Sequence, residues 1–233
     1  MNVRRKIMNP NIAKISSLLS DPSRSSILLS LMDGRIHPAG ELAYLANIKP
    51  QTASFHLNKL LEAKLISVEK HGRHRYYRLA DSDAANVIEQ LLHIAPKAKV
   101  KSLKESKEKK DLHFARTCYD HLAGYVGVQM AHSLVEQGML KKVDLNFEVT
   151  SEGALFFSKL GINEEQQRNK RRAFARCCLD WSERQHHIAG ALGNALLVRM
   201  LEEEWIVRMP KTRAIRITQS GKIAFEKHLN VKI

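Results

Sequence analysis

Two adjacent cysteines, an aspartate, a glutamate and two histidines fall between positions 177 and 187, in CCLDWSERQHH. Thiolate, imidazole and carboxylate together are the ligand types of a transition-metal site. A histidine within hydrogen-bond reach of a thiol would instead make a nucleophilic centre. The same residue types recur upstream, more closely spaced. RTCYD (116–120) and RCCLD (176–180) share Arg-x-Cys-x-Asp at an offset of 60 residues. HLAGYVG (121–127) and HIAGALG (187–193) share His-x-Ala-Gly-x-x-Gly at an offset of 66, so the second copy holds a six-residue insertion within WSERQHH. The candidate effector-binding residues are Cys118, Asp120 and His121 from the first copy, and Cys178, Asp180, Trp181, Glu183 and His187 from the second. A small organic effector, a thiophilic metal, thiol redox chemistry and a purely structural role all remain open at this point. No cofactor is assigned.

The elements that position these residues are read from periodicity. Taken as one helix, 171–200 puts Phe174, Cys177, Cys178, Trp181, Ile188 and Leu192 on one apolar stripe, with Asp180, Glu183 and His187 on a neighbouring face. The similarity of the two copies extends downstream. VTSEGALFF (149–157) and ITQSGKIAF (217–225) share Thr-x-x-Gly and a trailing Phe. Each copy reads as helix, hairpin and short helix, so the expectation for 112–233 is an effector or assembly domain of two degenerate winged-helix-like repeats, about 116–162 and 176–230. The segments HLAGYVGVQ and HIAGALGNA are small and apolar, which suits close helix packing rather than a second DNA-reading face.

The chain has 233 residues, 44% of them hydrophobic, and a formal net charge of +14. Such a basic balance points to a polyanionic partner. Residues 1–110 carry 20 Lys/Arg against 10 Asp/Glu, whereas 111–233 carry 18 against 14. The N-terminal half is therefore the expected polyanion binder. No apolar run approaches the ~20 residues of a membrane span, and no apolar stretch follows the basic N-terminus, so neither a leader nor a membrane partner is expected. Three cysteines in this context suit a reducing, cytoplasmic location. There is no phosphate loop, nucleophile elbow or zinc-protease motif, so an enzyme is not expected.

Residues 12–94 order themselves as helices and one hairpin. Ile12, Ile15, Leu18 and Leu19 have helical spacing; Asp21-Pro22 suits an N-cap followed by the first helical position. Short helices follow, and PQTASFHLNKLLEAKLI begins polar and ends apolar, as the second helix of a helix-turn-helix does. Its early residues Gln51, Thr52, Ser54, Phe55 and His56 are the expected base-edge contacts. LISVEKHGRHRYYRLA alternates on either side of His71-Gly72 and reads as a hairpin. Arg73, His74 and Arg75 at its tip, with Lys59, are the expected phosphate-side contacts. APKAKVKSLKESKEKKD, with seven lysines, reads as a linker or solvated helix.

The segments DPSRSSILLSL, ELAYLANIKPQTASFHLNKLLEAKLI and GRHRYYRL resemble the arsenic-repressor (ArsR/SmtB) class of bacterial winged-helix regulators. The resemblance covers roughly residues 12–95. It implies a homodimer that represses transcription at a double-stranded DNA operator and releases it when an inducer binds, with the helix at 81–94 as dimer interface. The metal-sensing members carry Cys-x-Cys in the helix before the recognition helix; here that helix is ELAYLA, without cysteine. The helix at 81–94 offers Asp83, Glu89 and His93 in a different spacing from their second site. The resulting expectation is a mainly α fold with small β-hairpins (α+β): a winged-helix DNA-binding and dimerisation domain over 1–95, a lysine-rich linker over 96–111 and an effector/assembly domain over 112–233. Alternatives are a repressor answering metal or thiol oxidation through the C-terminal Cys/Asp/His residues, and a scaffold or ligand-binding protein that does not touch DNA.

Overall fold

A computed structural model describes residues 10–96 and 100–233. The chain divides into two compact units, one built from residues up to 31 together with 36–81, the other from 32–35 and 82–233.

The first unit runs α1 (Ile12–Leu19), α2 (Pro22–Ser30), β1 (His37–Pro38), α3 (Ala39–Leu45), α4 (Pro50–Glu62), β2 (Ile66–His71) and β3 (His74–Leu79), with an antiparallel sheet in the order β1-β3-β2. Asp21 caps α2, accepting from the Arg24 amide at 2.9 Å, and Pro22 fills the first turn where no donor is needed. Asn47, with φ of 52°, turns the chain between α3 and α4, and asparagine tolerates that left-handed backbone better than most side chains. Ile27, Leu28, Leu31, Leu42, Leu57, Leu60 and Leu79 form the core. This is a winged helix-turn-helix.

The second unit begins with α5 (Ser82–Ile94) and α6 (Leu103–Phe114). The first of two parallel halves follows: β4 (Arg116–Cys118), β5 (His121–Ala123), α7 (Gly124–Glu136), β6 (Leu140–Val143), β7 (Asn146–Val149) and α8 (Ser151–Lys159). After the short α9 (Glu164–Arg168), the second half repeats the order: β8 (Arg176–Leu179), β9 (His186–Ala189), α10 (Gly190–Glu202), β10 (Ile206–Arg208), β11 (Ile215–Ile217) and α11 (Gln219–Leu229). The caps correspond as well. Thr150 accepts from the Gly153 amide and Thr218 from the Gly221 amide. The halves exchange backbone bonds reciprocally. The Thr117 amide donates to Arg213 and that of Ile215 to Ala115; the Cys177 amide donates to Leu145 and that of Phe147 to Ala175. Each half thus seats its second hairpin beside the first strand of the other, and α7 packs on β9 while α10 packs on β5. The hydrogen bonding and helix packing between the two halves are thus reciprocal.

Two expectations are corrected. Residues 171–200 are not one helix: β8, a loop and β9 precede α10. RCCL and HHIA are buried on both strand faces, so they lack the alternation that marks a half-exposed strand, and the helical stripe is a coincidence of spacing. The boundary expected at 95 falls instead after Asp81, because Ala85, Ile88 and Glu89 of α5 are buried in the second unit. Within the segment read as a linker or a solvated helix, Ser102 caps α6 by accepting from the Glu105 amide; residues 97–99 lie outside the described ones.

Candidate functional sites: a recognition helix and a buried cysteine–histidine cluster

In α4 the buried positions are Ala53, His56, Leu57 and Leu60, the 3.6-residue stripe of a helix seated on a core. The opposite face exposes Gln51, Thr52, Ser54, Phe55, Asn58 and Lys59. His56 departs from the expectation of a groove contact. It lies inside, its Nδ1 3.4 Å from Arg24 Nη1 and its Nε2 3.9 Å from Asp21. Asn58, not singled out from the sequence, is on the outer face; a helical wheel anchored on Leu57 and Leu60 would have found it. The Ser54 hydroxyl donates to the Pro50 carbonyl and still offers lone pairs outward. Lys59 Nζ sits 4.3 Å from the centroid of the exposed Phe55 ring. Arg73, His74 and Arg75 are all exposed at the hairpin tip, where Gly72 has φ of 59°. The two cations there are free of ion pairs with any described acid, whereas Arg78 is paired to Glu69 at 2.9 Å.

The second site lies between the two halves of the C-terminal unit. Strand register fixes it: Cys118 stands opposite His121 in the β4–β5 pair, and Cys178 opposite His187 in the β8–β9 pair. Contact between β5 and β9 then brings like to like. Cys118 Sγ is 4.0 Å from Cys178 Sγ, and His121 Nε2 is 3.1 Å from His187 Nε2. One ligand atom from each of the four falls within 4.8 Å of the others, and all four residues are buried.

Aspartates stand behind both imidazoles. Asp120 Oδ1 is 3.3 Å from His121 Nδ1, and Asp180 Oδ2 is 3.4 Å from His187 Nδ1. Asp120 is held in turn by Arg172, and its carbonyl by Asn194. Asp180 accepts from the Gly124 amide at 2.7 Å, Arg116 Nη2 at 2.9 Å, and the amides of Ser182 and Glu183. Gly124 approaches this closely with φ of 79°, a conformation a Cβ would strain. Burial raises the Asp120 pKa, but hydrogen bonds from His121 and Arg172 outweigh it and hold the carboxyl at about 2. Asp180 stays well below the usual carboxylate range for the same reasons: burial opposes, while His187 and Arg116 prevail. The hydrogen bond to Cys178 and burial push the Cys118 thiol up.

Of the residues expected to bind an effector, Cys118, His121, Cys178 and His187 converge, and Asp120 and Asp180 support them from behind. Trp181 and Glu183 do not reach the cluster. Trp181 covers the Arg116 guanidinium, 4.5 Å from ring centroid to Cζ, and meets His113 edge-on. Glu183 contributes only its amide. Cys177, next in sequence to a cluster member, faces the apolar core instead. Arg116, with Glu89 of α5 at 3.5 Å and Arg213 beyond it at 3.6 Å from Glu89, makes a buried charge chain that spacing alone could not show. His93, also on α5, is 2.9 Å from the Leu179 carbonyl.

Comparison with known proteins places the similarity in the helix-turn-helix. A helix-turn-helix domain family matches residues 19–69. The HTH-type transcriptional regulator CmtR of Mycobacterium tuberculosis (strain H37Rv) is 34% identical over 83 residues, which are 36% of this chain and 70% of that protein. The transcriptional repressor SdpR of Bacillus subtilis (strain 168) is 35% identical over 79 residues, 34% of this chain and 87% of that one. Among solved structures, NolR from Sinorhizobium fredii aligns with a TM-score of 0.34 at 27% identity, covering 37% of this chain and 85% of its own.

Proposed function

Because the chain belongs to the ArsR-type winged-helix transcriptional regulators, we propose that it is a repressor that reads its operator with the outer face of α4 and grips phosphates with the β2–β3 wing. It binds DNA, as helix-turn-helix regulators do. The observation that carries the assignment of residues is the division of α4: an apolar stripe inward, and Gln51, Thr52, Ser54, Phe55 and Asn58 outward on its first turns. Amide side chains there can pair bidentately with adenine edges, and small hydroxyls serve as donors or acceptors. Lys59, Arg73 and Arg75 supply the sequence-independent attraction.

The repressor acts as a homodimer through α5. Val87, Leu91 and Ile94 follow one another at helical spacing and are 50%, 38% and 80% exposed, an apolar stripe that a second copy would cover. Two recognition helices related by a two-fold then read half-sites about one DNA turn apart. An effector held in the C-terminal unit releases the operator. Among the described residues no helix is long and apolar enough to cross a membrane.

The test is a mobility shift with the DNA upstream of the protein's own gene, against unrelated competitor. A shift that survives competitor and weakens in Gln51→Ala and Thr52→Ala supports the reading. A shift abolished equally by any duplex, or none at all, would reject it in favour of a scaffold that uses its winged helix for protein contacts.

A further inference from the structure

We propose that Cys118, His121, Cys178 and His187 form a four-coordinate site for one divalent cation of borderline or soft character, the class of Zn²⁺ and Cd²⁺. The site itself stands on its own geometry; only its role as the effector site rests on the DNA-binding reading.

A regular tetrahedron with metal–sulfur bonds of about 2.3 Å and metal–nitrogen bonds of about 2.0–2.1 Å has edges of about 3.8 Å between sulfurs and about 3.3 Å between nitrogens. The corresponding separations are 4.0 Å and 3.1 Å. These two edges are each within a few tenths of an ångström of the ideal, and the sulfur–nitrogen edges, about 3.6 Å in the same tetrahedron, are no longer than 4.8 Å here. Two sulfurs select against Mg²⁺ and Ca²⁺, which take oxygen ligands. As the two metal–sulfur bonds form, both thiols release their protons to solvent, and two thiolates neutralise the double charge in a buried place.

The histidines are preset for this task. His121 Nδ1 is hydrogen-bonded to Asp120, and His187 Nδ1 lies 3.4 Å from Asp180 Oδ2; Nε2 is thus the nitrogen left for the metal in each, and the two Nε2 atoms are 3.1 Å apart. A carboxylate behind each ligating imidazole is the usual support of a metal site. Asp120 gives His121 that support through a hydrogen bond, and Asp180 stands 3.4 Å from His187 Nδ1. Without a metal, one Nε2–H donates to the other Nε2; with a metal, both nitrogens give their lone pairs to the ion instead. A cleft of about 60 Å³ between α5 and the β4–β5 turn borders Cys118 and His121 and offers an access path.

The experiment uses the full reduced chain and Co²⁺ as probe. One equivalent per chain should bind with the intense visible bands of tetrahedral cobalt and a sulfur-to-cobalt charge-transfer band, and Zn²⁺ should displace it. Cys178→Ser and His187→Ala should each weaken uptake more than tenfold. Asp120→Asn should keep the stoichiometry but lose about 10- to 100-fold in affinity. Cys177→Ala, altering a neighbouring cysteine outside the cluster, should bind as wild type. Where a ligand variant fails to fold, X-ray absorption of the zinc-loaded wild type decides, with two sulfur and two nitrogen scatterers expected. No cobalt uptake by the folded chain, a charge-transfer band that survives in Cys118→Ser and Cys178→Ser, or an oxygen-only shell would overturn the proposal. None of these measurements contains DNA, so their failure leaves the operator-binding reading untouched.

Discussion

Arg116→Leu removes a fully buried guanidinium from between two buried carboxylates. Its Nη2 lies 2.9 Å from Asp180 and 3.5 Å from Glu89, and none of the three side chains is more than 1% exposed. Asp180 would keep the amides of Gly124, Ser182 and Glu183, so part of its desolvation stays compensated. Glu89 would keep only the longer contact to Arg213, at 3.6 Å. Breaking a buried pair by deleting one partner costs about 3–5 kcal/mol. At about 2–4 °C per kcal/mol for a unit of this size, the melting temperature should fall by about 6–20 °C. Urea denaturation followed by circular dichroism measures the loss directly. Arg116→Lys, which keeps a charge but not the planar fork, should lose less. Adding Glu89→Gln to Arg116→Leu should recover part of the deficit, because an uncompensated buried charge is then neutralised. A loss below about 1 kcal/mol, or no coupling between the two substitutions, would refute the reading of this chain as a buried and mutually dependent charge network.

Other substitutions test separate links. Asp21→Ala should cost about 1 kcal/mol at neutral pH through loss of the α2 cap, and Asp21→Asn much less. The bond from the Arg24 amide lowers the Asp21 pKa from its ordinary 3.8; the capping contribution is therefore full above that value and is lost as pH falls through the lower folded value. The difference between wild type and Asp21→Ala should accordingly close as pH falls below 3.8 in denaturation curves. Gly190→Ala would put a Cβ 2.7 Å from the Phe174 carbonyl oxygen at φ of 81°, and should destabilise by more than about 1 kcal/mol in the same assay. Arg73→Ala should weaken binding to all duplexes alike and flatten the slope of log affinity against log salt by about one; an unchanged slope would remove the wing from the interface. If the metal is the effector, Zn²⁺ should lower operator affinity, and operator should lower zinc affinity by the same factor, both readable by titration.

The winged helix was legible because its signals are local: Asp21-Pro22 at a helix start, the change from polar to apolar along α4, and alternation around Gly72. His56 has the polarity of an early recognition-helix contact, while its burial depends on Arg24 and Asp21, more than thirty residues away. The C-terminal unit shows the opposite balance. Repetition of Arg-x-Cys-x-Asp and His-x-Ala-Gly drew attention to the residues that converge. It could not show how they meet, since that depends on how the β4–β5 and β8–β9 hairpins pack against one another. The helix expected over 171–200 failed because strands buried on both faces lose the period that would reveal them. Nor does spacing disclose that Glu89 draws α5 into the second unit.

Selection of binding sites from random-sequence duplexes by the full chain tests operator reading by the outer face of α4. Repeated rounds should enrich a two-fold-related pair of half-sites about one helical turn apart, and Gln51→Ala should change the bases preferred within each half-site without changing their spacing. Recovery of no preferred sequence, or of the same sequence irrespective of substitutions on the outer face of α4, would contradict it.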